Sequence, residues 1–140
     1  MQKSMSHDEN YDPLPPEEWP REPAYLEGIA LFNAGKFWES HEAWEKIWLQ
    51  VDGAHSEFLQ GLIQSAAALL KYERHELAPA LRLYETAMRR LSLTPDRYMG
   101  LDVRGFQALM KICFEPILTS LPGQISEPIE RDKIPKIAVS

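Results

Sequence analysis

His41 and Glu45 stand four residues apart inside FWESHEAWEKIWLQ, the segment from Phe37 to Gln50. On an α-helix that spacing lets an imidazole and a carboxylate touch. The pair can serve as a structural hydrogen bond, as an oriented general base, or as half of a metal site. A helix advances about 100° per residue, so with Phe37 at zero, Trp44, Trp48 and His41 fall within roughly 40° of it and Glu45 near 80°. Glu39, Glu42 and Lys46 turn away. The spacing sets a histidine within an aromatic stripe, with a carboxylate at the stripe's edge. Trp38, near 100°, belongs at an edge or an interface.

A buried histidine must satisfy both ring nitrogens, and aromatic neighbours cannot do so. A polar group from another helix is therefore expected to meet it. Gln60 and Gln64, themselves four apart in FLQGLIQSAAALLKYERH, suit the task by type, and Asn33 is a third candidate. The plain expectation is a buried network that fixes how two helices dock. A cleft for a small ligand or partner, or a metal or acid–base site, would use the same groups. His41-Glu42-Ala43-Trp44-Glu45 has the form H-E-x-x-E, one residue from a zinc helix. Zinc needs a third protein ligand. The other histidines are His7 in the N-terminal arm and His55 and His75 at either end of the third helix. No Glu-x-x-His pair for a di-iron bundle occurs, nor a glycine-rich phosphate loop, a G-x-S-x-G elbow or a C-x-x-C pair. No metal or cofactor is expected.

The elements that would position these groups are helices. The first runs from about Pro23 to Ala34 with Gly35 as its stop, and the second from about Lys36 to Val51, ended by Asp52-Gly53. Ser56 is expected to cap the third, whose few charges before Lys71 mark it as the central element. Leu77, Ala80, Leu81, Tyr84, Ala87, Met88 and Leu91 give the fourth its apolar face. Asp102 caps a fifth that ends before Pro116, with Val103, Phe106, Met110, Cys113 and Phe114 turned inward. Four prolines make residues 1–22 an extended or disordered arm, pinned at its end by Trp19. Residues 23–118 form the helical domain. Residues 119–140 read as an extended tail, with Ile125, Ile129, Ile134 and Ile137 along the body. No hairpin stands out. The fold expected is an all-α bundle of about five helices.

Composition narrows the partners. The 140 residues suit one domain, and 44% hydrophobic content is too rich for disorder. With 15 Lys and Arg against 21 acids and a net charge of −6, nucleic acid is a poor partner. No apolar run approaches the ~20 residues of a membrane span, and the polar N-terminus lacks a signal core. Cytoplasmic residence follows by elimination. Cys113, the only cysteine, cannot form an intramolecular disulfide and suits a buried thiol. A homodimer through Trp38 or the fourth helix stays open.

LFNAGKFWESHEAWEKIW (31–48) followed by FLQGLIQSAAALLKY (58–72) resembles the small helical proteins called domain of unknown function 309. The residues carrying the resemblance are Asn33 and Gly35; His41, Glu42, Trp44, Glu45 and Trp48; and the run Leu59 to Gln64 with Ala66, Ala67 and Ala68. It spans roughly residues 25–92; Pro79-Ala80 replaces the family's glycine-alanine pair, and Asp102 suits its later helix. The resemblance implies an all-α fold and no assigned activity, and it gives weight to His41, Glu42, Glu45, Gln60 and Gln64 as a joint site. The functional expectation is a binding or interaction module with a polar groove at the HE-x-WE and LQGLIQ helices. The alternative is a metal-assisted or acid–base hydrolase using His41 and Glu45, with Glu42 as accessory carboxylate.

Overall fold

A computed structural model of the chain describes residues 11–120 and 127–140. His7, Ile125 and the first ten residues of the arm lie outside them. Among the described residues the architecture is all-α: α1 (Pro23–Asn33), α2 (Phe37–Trp48), α3 (Gly53–Glu73), α4 (Leu77–Ser92) and α5 (Val103–Leu118). α3 packs against both α2 and α4, α1 closes on α2, and α5 closes on α4. α3 is thus the central element, and Leu59, Leu62, Ala66 and Leu69 are fully buried on it. No helix among the described residues is long and apolar enough to cross a membrane.

The chain ahead of α1 is folded onto the body. Pro16–Arg21 makes a 3₁₀ turn that inserts Trp19 into the core, where its indole donates to Leu14 O at 3.2 Å. Glu22 then caps α1, its buried carboxylate accepting the Tyr25 amide at 2.8 Å and the Tyr11 hydroxyl. The C-terminal residues also lie along the body. Asn33 clamps them through both ends of its amide, donating to Ile137 O and accepting from Ile137 N at 2.8 Å each.

Two boundaries and one hairpin differ from expectation. α3 begins at Gly53, not behind Ser56, because Asp52 in extended backbone holds the cap position and Gly53 turns the chain with φ +63. α5 continues through Pro116 to Leu118. The ring costs only the bond to Ile112 O, on a side of the helix that faces water. A hairpin that the sequence pattern hid pairs β1 (Arg97–Tyr98) with β2 (Leu101–Asp102). Its turn residues, Met99 and Gly100, both have positive φ, the geometry that matches strand twist in two-residue loops. Tyr25 Oη donates to Met99 O at 3.0 Å, and Ser140 N donates to Gly100 O at 2.9 Å. The expected cap at Asp102 is present, accepting the Gly105 amide at 2.9 Å.

The tightest approach is between α1 and α2. Trp44 is wholly buried and its indole donates to Tyr25 O at 3.1 Å. It occupies the space that a side chain at Gly28 would need: a Cβ there would fall on the indole, 2.7 Å from Cε2. A rigid bicyclic ring in a filled core cannot give way. Gly28→Ala is expected to destabilise the fold by about 2–3 kcal/mol, read as a lowered midpoint in urea unfolding with an unchanged slope.

Candidate functional site

The buried arc of α2 decides which of its side chains can act. Ser40, Ala43 and Ile47 are buried together with Phe37, Trp44 and Trp48. On the helical wheel these six span roughly 140°, and their centre lies about 90° from His41. The aromatic stripe is therefore one flank of the buried face. Trp44 and Trp48 are core residues, and His41 stands on the rim.

His41 keeps 23% of its side chain exposed and Glu45 keeps 22%. Nε2 of His41 is 3.8 Å from Glu45 Oε2, near enough for charge attraction and too far for a hydrogen bond. The ring stacks on Trp38, with centroids 5.2 Å apart and planes 19° apart. Trp38 itself is 56% exposed. Nδ1 of His41 is sealed from water and has no hydrogen-bond partner, and Gln64 Oε1 is in the same condition. In the neutral ring the proton therefore belongs on Nε2, since a sealed N–H without an acceptor costs more than a bare lone pair.

The candidate residues fall into separate places. Gln60 and Gln64 are half-buried on α3, and no hydrogen bond joins either to the imidazole. Asn33 serves the C-terminal clamp. Glu42 faces a shallow groove shared with Glu27, Glu39 and Lys46. What His41 does meet is the second half of α3. Together with Phe37 and Trp38 it lines a cleft of about 140 Å³ whose other wall is Ala67, Leu70, Lys71 and Arg74. Lys71 reaches Glu76 at 3.4 Å, an exposed and loose pair.

Lys71 stands about two turns beyond Gln64, and the first turns of α3 are covered by other elements. His55 stacks against Tyr98 with centroids 5.7 Å apart and lies 5.3 Å from Trp19; Phe58 packs on Tyr25 and Tyr98. α2 meets α3 further along. Matching the two helices from their shared turn alone would have set His41 opposite Gln60.

The chemistry available is recognition by cationic and aromatic groups over an apolar floor. Among the described residues no group of three or more His, Cys, Asp or Glu is close enough to hold a metal ion. Cys113 is buried on α5, and that burial pushes its thiol up to about 12, far from a reactive thiolate.

The family described as domain of unknown function (DUF309) matches over residues 25–83, which contain α2, α3 and the whole cleft. A crystal structure described as a conserved hypothetical protein, TTHA0068 from Thermus thermophilus, shares the fold with a TM-score of 0.55. It is 36% identical to this chain, over 63% of this chain and 92% of that one. No protein with a curated description matches. The chain belongs to the DUF309 family.

A rim histidine and a core tryptophan should answer truncation differently. His41→Ala is expected to change stability by no more than about 1 kcal/mol, since it orphans no partner. Trp44→Ala should cost about 3–5 kcal/mol by emptying a filled core site. Chemical denaturation of the two variants side by side checks both; equal losses would return His41 to the core.

Proposed function

We propose that this chain is a non-enzymatic binding module whose ligand site is the cleft between α2 and the second half of α3. The observation that carries this is the make-up of the cleft: an apolar floor, a half-exposed tryptophan and three nitrogen-bearing side chains around one concavity. Small-molecule sites have that composition, mostly apolar walls with a few polar groups that fix orientation. The volume sets the scale of the ligand. A cleft of about 140 Å³ is well below the ~300 Å³ at which drug-sized pockets begin. It suits a small molecule, or one end of a larger one, better than the flat surface of a protein partner.

Hydrolysis by His41 and Glu45 has less support. The pair is not hydrogen-bonded, and Glu42, the accessory carboxylate of that scheme, faces a different groove. The wall opposite His41 carries Lys71 and Arg74 and no carboxylate.

Filling the cleft tests the proposal. Neutral and charged fragments of roughly ten heavy atoms or fewer are titrated into the protein while its amide resonances are followed by NMR. Hits are expected to perturb residues 37–41 and 67–74 together. Ala67→Phe should abolish those perturbations while leaving the melting temperature close to that of the parent. Fragments that bind only elsewhere, or that bind the filled variant equally well, would contradict it.

A further inference from the structure

The charge of the cleft does not follow the charge of the chain. The chain carries 21 acidic residues against 15 basic ones. Yet no acid is among the seven residues that line the cleft, while Lys71, Arg74 and His41 are. The neighbouring groove on the other side of α2 shows the contrast, with Glu27, Glu39 and Glu42 around a single Lys46. Lys71 in the last turn of α3 and Arg74 at its C-cap stand three apart, so their side chains lie on the same side. Arg74 makes no ion pair with a described residue. Part of their attraction is spent on the exposed carbonyls at the end of α3, where cations are favoured in any helix. That role explains a positive charge at this end of the helix. It does not explain an apolar floor beneath the charge or the aromatic ring beside it.

The floor is made by Phe37, Ala67 and Leu70. Its volume of about 140 Å³ is close to that of the roughly 150 Å³ engineered cavity that accepts benzene. One ring or a branched chain of about six carbons fits such a space. An anionic group on that body would meet Arg74 at the mouth and Lys71 in exchange for its loose pair with Glu76, while His41 Nε2 faces the Glu45 carboxylate at 3.8 Å. With Lys71 already paired to Glu76, the mouth offers about one uncompensated cation, which matches a singly charged carboxylate better than a phosphate monoester carrying about −2.

We propose that the cleft binds a small hydrophobic monocarboxylate, its apolar body against Phe37, Ala67 and Leu70 and its carboxylate at Lys71 and Arg74. This rests on the cleft being a ligand site at all, so the test separates the two. Sodium benzoate, benzyl alcohol and benzylamine are titrated at constant ionic strength into the full chain. The amide resonances of residues 67–74 and the indole resonance of Trp38 are followed by NMR. Benzoate is expected to bind at least about tenfold more tightly than the alcohol, with benzylamine weakest. The double variant Lys71→Gln, Arg74→Gln, at two sites exposed enough to keep the fold, should erase the preference of acid over alcohol.

Each result decides something. If benzyl alcohol perturbs the cleft as strongly as benzoate, the cleft remains a ligand site and the carboxylate assignment falls. If benzylamine binds best, the same holds with the sign reversed. If none of the three perturbs these residues, the ligand site itself falls. If benzoate keeps its advantage in the double variant, its anion is read elsewhere and the assignment falls.

Discussion

Everything about the site follows from how one indole is seated. Trp44 fills the notch left by Gly28 and donates its N–H to Tyr25 O, so α1 and α2 can meet at one rotation only. That rotation turns Ser40, Ala43 and Ile47 inward beside Phe37 and Trp48. It also turns Trp38 and His41 outward to the rim. A hydrogen bond alone would be worth about 1 kcal/mol. Joined to a rigid ring in a glycine notch, it becomes a geometric lock, because any other rotation of α2 empties the notch and gives up the bond to Tyr25 O.

The second constraint is where α2 meets α3. Trp19, Tyr25 and Tyr98 cover His55 and Phe58 at the start of α3, and the first turns of α2 meet the far half of α3. The segments that do this lie far apart in the chain and are themselves held in place. Tyr25 is bonded to the β1–β2 turn, the turn to Ser140, and Ile137 to Asn33.

The helices were legible because each carries its own punctuation and period: Gly35 after α1, Asp102 before α5, and the i, i+3, i+4 pattern of Leu77 to Leu91. The site was legible only in part. His41 was singled out on its own helix, but the aromatic residues dominate that wheel by size and hide the smaller Ser40, Ala43 and Ile47. Counting those three moves the centre of the buried face and would have set His41 at its edge. Lys71 and Arg74 carried no local signal, since cations near a helix end are ordinary. Their place opposite His41 is a long-range fact that no window of sequence contains. The hairpin was missed for a local reason. Two-residue strands have no alternation to read, and Met99 is not a residue that advertises positive φ.

Hydrogen exchange at the four indole N–H groups tests the seating of α2 most directly. With Trp44 locked and Trp38 on the rim, the Trp38 proton is lost first. The Trp44 proton should persist until the fold opens globally, with a protection approaching the full unfolding free energy. A protected Trp38 together with a Trp44 proton that exchanges as fast as a free indole would contradict the account. It would mean that α2 is turned the other way, with His41 facing the core.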